Sequence, residues 1–146
     1  MFKSILVPTD GSPLAEKTFG SAIEAAKTNN GKIVAISVAH PFVYPRPTKE
    51  STVPDYKKEY EHDALRLAKQ HVQRLAGEAQ KQGVPCETTT PCSADPSGEI
   101  VAAVERFGCD VIFIASHGRR GISKLLLGSE TQRVLADSPV PVMVFR

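Results

Sequence analysis

Short apolar runs alternate with stretches of helical periodicity along the whole chain, and this alternation restricts the fold more than any single residue does. Ile5, Leu6 and Val7 form a buried strand ended by Pro8, and Thr9 to Pro13 read as a turn with Ser12 as helix N-cap and Pro13 as first helical residue. Ala15, Phe19, Ala22, Ile23 and Ala26 then recur at helical spacing, and Asn29, Asn30 and Gly31 supply a stop. Lys32 to Val38 is a second strand, apolar enough on both faces for a sheet covered by helices on each side. Ala39 to Pro54, with four prolines, reads as a long surface loop or flap. From Asp55 to about Gln82 one stripe holds Leu65, Ala68, Val72, Leu75, Ala76 and Ala79, and Gly83 stops the helix. Cys86 to Pro91 alternates and is polar, which suits a strand near the sheet edge. Asp95 and Pro96 open a helix with Ile100, Ala103, Val104 and Phe107 inward, and Asp110 to Ala115 is apolar enough for the sheet's centre. Gly128 and Ser129 begin a last helix, Ser129 to Gln132 having capping-box spacing, and Val140 to Phe145 is a fifth strand.

Strands and helices in strict alternation predict an α/β fold: one domain over residues 1–146, an open five-stranded parallel sheet with right-handed crossovers. A chain 41% hydrophobic and 23% charged agrees with a single soluble domain. Ligands of such sheets bind beyond the strand C-termini at the switch point, which directs attention to Asp10, Val38 and the stretch from Ala115 to Ser129. The net charge of +2 is too small to mark a nucleic-acid or membrane surface. Every apolar run falls short of the roughly 18 residues a membrane helix needs. Cys86, Cys92 and Cys109 are an odd set without CxxC, and the N-terminus lacks the apolar stretch of a signal peptide, so the cytoplasm is the expected compartment.

Ala115, Ser116, His117 and Gly118 precede nine residues and then Gly128 and Ser129 at a helix start. Glycine-loop amides and a helix N-terminus form an anion cradle, to which Arg119, Arg120 and Lys124 add charge unless they are merely solvated. In this pattern, together with ILVPTDGS, ISV, DVIFIASHGRRG, LLLGS and PVPVMVF, essentially the whole chain resembles the universal stress protein family, in particular its ATP-binding branch. The resemblance implies a flavodoxin-like fold, of the adenine-nucleotide alpha-hydrolase-like kind, with strand order 3-2-1-4-5. It also implies a homodimer paired through the last strand, and ATP or a related adenine nucleotide as ligand. Any Mg²⁺ would arrive with the phosphates. Carried over by position, Pro8, Thr9 and Asp10 would surround the adenosine, Val38 would offer its backbone to adenine, and Gly118, Gly128 and Ser129 would hold phosphate and ribose. Ala115, Ser116, His117, Arg119 and Glu130 complete the implied ligand set. Ala115 stands where the ATP-binding branch has the first glycine of G-x-x-G. The alanine keeps its N–H, but its methyl is expected to crowd the phosphate side and, if the position needs a positive φ, to strain the backbone, so Ala115 limits affinity without abolishing it and Ala115→Gly is expected to tighten binding.

Other readings compete locally. Asp10 also suits an Asx turn ahead of the first helix, and the two glycines suit ordinary turns. Ser116 and His117, adjacent on an extended chain, are expected to face opposite ways and to share no proton. Ile114 breaks the GxSxG nucleophile pattern, and no Walker loop, GxGxxG or HxGH occurs. Cys86 with Cys92, and His62 with His71, lack metal spacing. Tyr56 and Tyr60 are expected to pack against the protein. The leading expectation is a cytoplasmic stress-response protein that binds ATP and signals through contacts with a partner protein, hydrolysing ATP slowly at most. The alternative is a dimeric interaction protein that has lost nucleotide binding, with Ala115 as the lesion.

Overall fold

The computed structural model describes residues 1–43, 53–118 and 127–146. In chain order it contains β1 (Ser4–Pro8), α1 (Pro13–Thr28), β2 (Lys32–Ile36), α2 (Val53–Lys81), β3 (Cys86–Thr89), α3 (Pro96–Phe107), β4 (Val111–Ala115), α4 (Ser129–Asp137) and β5 (Val142–Phe145). All strand pairs are parallel, in the order β3-β2-β1-β4-β5. The single-domain α/β architecture and strand order are those expected. Of the expected flap, residues 44–52 lie outside the described residues; α2 opens at Val53 and takes Pro54 into its first turn, where a missing N–H costs no helical bond.

Alternation along the strands sorts the core into two layers. Ile5, Val7, Ile33, Ala35, Val111 and Phe113 meet Phe19 and Ile23 of α1 and Val72 and Leu75 of α2 on one face. Leu6, Val34, Ile36, Ile112 and Ile114 meet Ile100 and Val104 of α3 and Val134 of α4 on the other. The three central strands are apolar on both faces because both faces are covered.

Two of the expected caps form as read. Ser12 Oγ accepts the Ala15 N–H at 3.2 Å, and Asp95 Oδ1 accepts that of Gly98 at 3.2 Å. The expected capping box of α4 does not form. Gly128 is the N-cap, and the Gln132 amide donates instead to the Leu127 carbonyl at 2.7 Å. The Gly128 N–H bonds the Ser116 carbonyl at 2.7 Å, which turns the chain into the helix one residue early and leaves Ser129 inside it. Of the two tyrosines, Tyr60 packs as expected and Tyr56 does not. Tyr56 is 74% exposed, and Tyr60, 45% exposed, meets Phe42 edge-on at 5.5 Å.

Pro141 acts differently from a proline that blunts an edge. Its carbonyl accepts the Ile112 N–H at 3.0 Å, and the Phe145 carbonyl accepts that of Ser116 at 2.7 Å. Positions 141, 143 and 145 therefore face β4, so the donor Pro141 lacks is missing from the inner side. The backbone of Val142 and Val144 faces outward along the open edge.

Candidate functional site

The sheet opens between β1 and β4 at their C-terminal ends. β1 pairs with β2 as far as Pro8↔Ile36, but with β4 only as far as Leu6↔Ile112. The Thr9 N–H bonds the Ile36 carbonyl at 2.9 Å, so Thr9 faces β2 and Pro8 faces β4. There the proline ring nitrogen has no proton to give, and the ladder ends. From β1 the connections run in opposite directions, so this gap is the switch point of the sheet.

Beyond it the chain turns sharply. Gly11 has φ 72°, Thr9 Oγ1 accepts the Gly11 N–H at 3.2 Å, and Asp10 Oδ1 accepts that of Ser12 at 2.9 Å. The Asx turn is real, yet it engages only one carboxylate oxygen in this way. A β-carbon on Gly118 would lie 2.5 Å from the other, Oδ2, so Asp10 and Gly118 come together across the gap and any side chain at 118 would have to displace the carboxylate. Ser37 and Ala39 give their N–H groups to the β3 side, at 3.2 Å to Thr89 and 2.8 Å to Pro91. Alternation then turns the N–H and C=O of Val38 toward the β1 side, where β1 has already ended.

Ala115 is a strand residue, 7% exposed and in register with Phe145, and its φ is not positive. Backbone strain therefore gives no ground for a gain from Ala115→Gly, which leaves crowding of the phosphate side by the methyl as its only cause. Its carbonyl accepts the Thr131 hydroxyl at 2.9 Å. Ser116 and His117 do touch, against expectation: Ser116 Oγ lies 3.1 Å from His117 Nδ1. The strand has ended at Ala115 and the chain bends at Ser116, so strand alternation no longer separates the two side chains. Ser116 is buried.

Gly128 closes against this turn; a β-carbon there would sit 3.2 Å from His117 Cα. Gly128 has no side chain to cap α4, and among the described residues none takes that place, so the N–H groups of its first turn, at Ser129, Glu130 and Thr131, form the positive end of the helix. The Glu130 side chain is engaged elsewhere, its Oε2 accepting the Ser97 N–H at 3.0 Å. Arg119, Arg120 and Lys124 lie outside the described residues. Among the described residues, no three His, Cys, Asp or Glu side chains cluster as metal ligands, and no helix is long and apolar enough to cross a membrane.

Thr131 and Ser97 escaped the sequence reading. Thr131 carried a faint signal, a small polar residue three positions before the buried Val134 on the same helix face; Ser97 carried none. A separate shallow groove, lined by Ala76, Gln80, Gly83, Val84, Pro85 and Cys86, lies at the opposite end of the sheet. Burial pushes the Cys86 thiol there up to about 11.

The model of the Universal stress protein family matches residues 1–146. Universal stress protein MJ0531 of Methanocaldococcus jannaschii is 30% identical over 149 residues, which cover 100% of this chain and 83% of that protein. The solved structure of MJ0577, a universal stress protein of the same organism, superposes with a TM-score of 0.84 at 27% identity, over 99% of this chain and 96% of that one. A universal stress protein of Archaeoglobus fulgidus, solved in complex with dAMP, shares the fold with a TM-score of 0.66 at 18% identity, over 98% and 97% of the two chains. An end-to-end match on a sheet of this order, open at β1 and β4, places the chain in the universal stress protein family.

Proposed function

We propose that this protein binds an adenine nucleotide, ATP foremost, in the gap between β1 and β4, and that occupancy changes its contacts with a partner protein. One observation carries the reading: the Asp10–Gly118 contact and the N-terminus of α4, where Gly128 offers no side-chain cap, converge on the switch point of the sheet. A β-carbon at Gly118 would press on the Asp10 carboxylate and one at Gly128 on the backbone of His117, so both glycines keep this turn close-packed, as a cradle of backbone N–H groups for an anion would need. The N–H and C=O of Val38 offer a donor and an acceptor to an adenine edge, with Pro8, Thr9 and Asp10 beside the ribose. Phosphates lie over Gly118, Gly128 and the first turn of α4, with Ser116 and His117 behind. Mg²⁺ would be carried on those phosphates, where it would neutralise part of their charge. The dAMP complex of the Archaeoglobus relative supports an adenine nucleotide as the ligand class.

The site is that of a binding module acting in the cytoplasm, with hydrolysis slow at most, and the protein works as a homodimer paired through β5. Mass spectrometry of the purified, denatured protein is expected to release ATP, ADP or AMP in near-stoichiometric amount. Calorimetry should show ATP binding by the wild type and none by the Gly118→Val/Gly128→Val double variant, whose fold is checked by circular dichroism. Unchanged affinity in that folded variant would remove the site from this gap.

A further inference from the structure

We infer that Glu130 is a positioning residue of the nucleotide site, its carboxylate holding the first turn of α4 against α3 so that the phosphate-binding amides stay fixed. The inference rests on the nucleotide reading above and adds to it a side chain that acts without touching the ligand.

Glu130 is the second residue of α4. A carboxylate there is drawn to the positive end of its own helix, where it would compete with an incoming phosphate. The structure sends it elsewhere. Its Oε2 accepts the N–H of Ser97, a buried residue in the first turn of α3, at 3.0 Å. Asp95 already serves the neighbouring Gly98 N–H and the Ser97 hydroxyl, so two carboxylates from two helices share the α3 N-terminus. The next residue of α4, Thr131, is pinned to the end of β4 through the Ala115 carbonyl at 2.9 Å. One turn of helix is thus held on two sides, by the sheet and by α3. The Arg133–Asp95 pair, 3.9 Å apart with both side chains exposed, adds little to this hold.

Charge and tether make opposite demands, which allows them to be separated. Removing an acid beside bound phosphate should tighten binding on electrostatic grounds; releasing the turn should weaken it. Glu130→Ala is expected to weaken ATP binding roughly tenfold, the scale of one lost charge-assisted hydrogen bond. Glu130→Gln keeps an acceptor for Ser97 and is expected to retain most of the affinity. Binding by Glu130→Ala as tight as wild type, or tighter, would overturn the inference. So would an equal loss in Glu130→Gln, which would point to direct ligand contact by the carboxylate. Amide exchange in the nucleotide-free protein decides the tether separately: the Ser97 N–H, bonded to Glu130, and the Gln132 N–H, bonded to the Gly128 carbonyl, should exchange faster in Glu130→Ala and at the wild-type rate in Glu130→Gln. Unchanged exchange in Glu130→Ala would also overturn it. A wild type that binds no adenine nucleotide would instead sink the reading underneath, with the exchange result standing apart.

Discussion

Ala115 sits between two roles, the last residue of β4 and the first of the loop that turns toward α4. Its conformation is that of a strand and its methyl is buried, so glycine there loosens the folded chain and loses packing. Ala115→Gly is expected to cost about 1 kcal/mol of stability in urea unfolding and to leave ATP affinity unchanged by calorimetry. A tighter complex would mean that the methyl crowds the ligand after all. The sequence marked Ala115 as a departure from a glycine pattern, but only backbone angles decide whether a departure matters. Ser116 and His117 make the converse point. Alternation separates neighbours only while a strand continues, and where β4 stops is set by its partners β1 and β5.

Between elements, the joint of β4 and α4 governs the site. The C=O of Ala115 points to the β1 side, past the last β1–β4 pair, and Thr131 supplies the partner that the sheet no longer offers. Thr131→Val keeps the shape and removes the hydroxyl, leaving that carbonyl unpaired. A loss of roughly 1–2 kcal/mol is expected in chemical denaturation, with weaker ATP binding because the first turn of α4 is released from the sheet. Stability and affinity both equal to wild type would show that this bond holds nothing. Local caps were legible because an N-cap bonds within three residues of itself, as Ser12 and Asp95 do. The α4 box does not follow from local sequence because Gly128 is placed by Ser116, twelve residues earlier.

For the molecule as a whole, β5 is the end strand of the sheet, and among the described residues no strand pairs with its outer edge, where Met143 is 41% exposed. The outward N–H groups belong to Val142 and Val144, so Val142→Pro/Val144→Pro removes edge donors while sparing those of Met143 and Phe145 toward β4. The proposed dimer should become a monomer by light scattering, and an unaltered dimer mass would place the interface elsewhere. The order of elements, the doubly covered strands and the two side-chain caps followed from the sequence alone, because periodicity and capping act within a few residues. Family resemblance supplied the strand order. The tertiary structure decided the rest: Asp10 against Gly118, Glu130 on Ser97, Ser37 beside His71 at 3.3 Å, and Asp110 accepting the Lys3 N–H at 2.9 Å. Each joins residues far apart in sequence, and a local pattern shows which face a residue takes but not which distant backbone the crossovers bring to meet it.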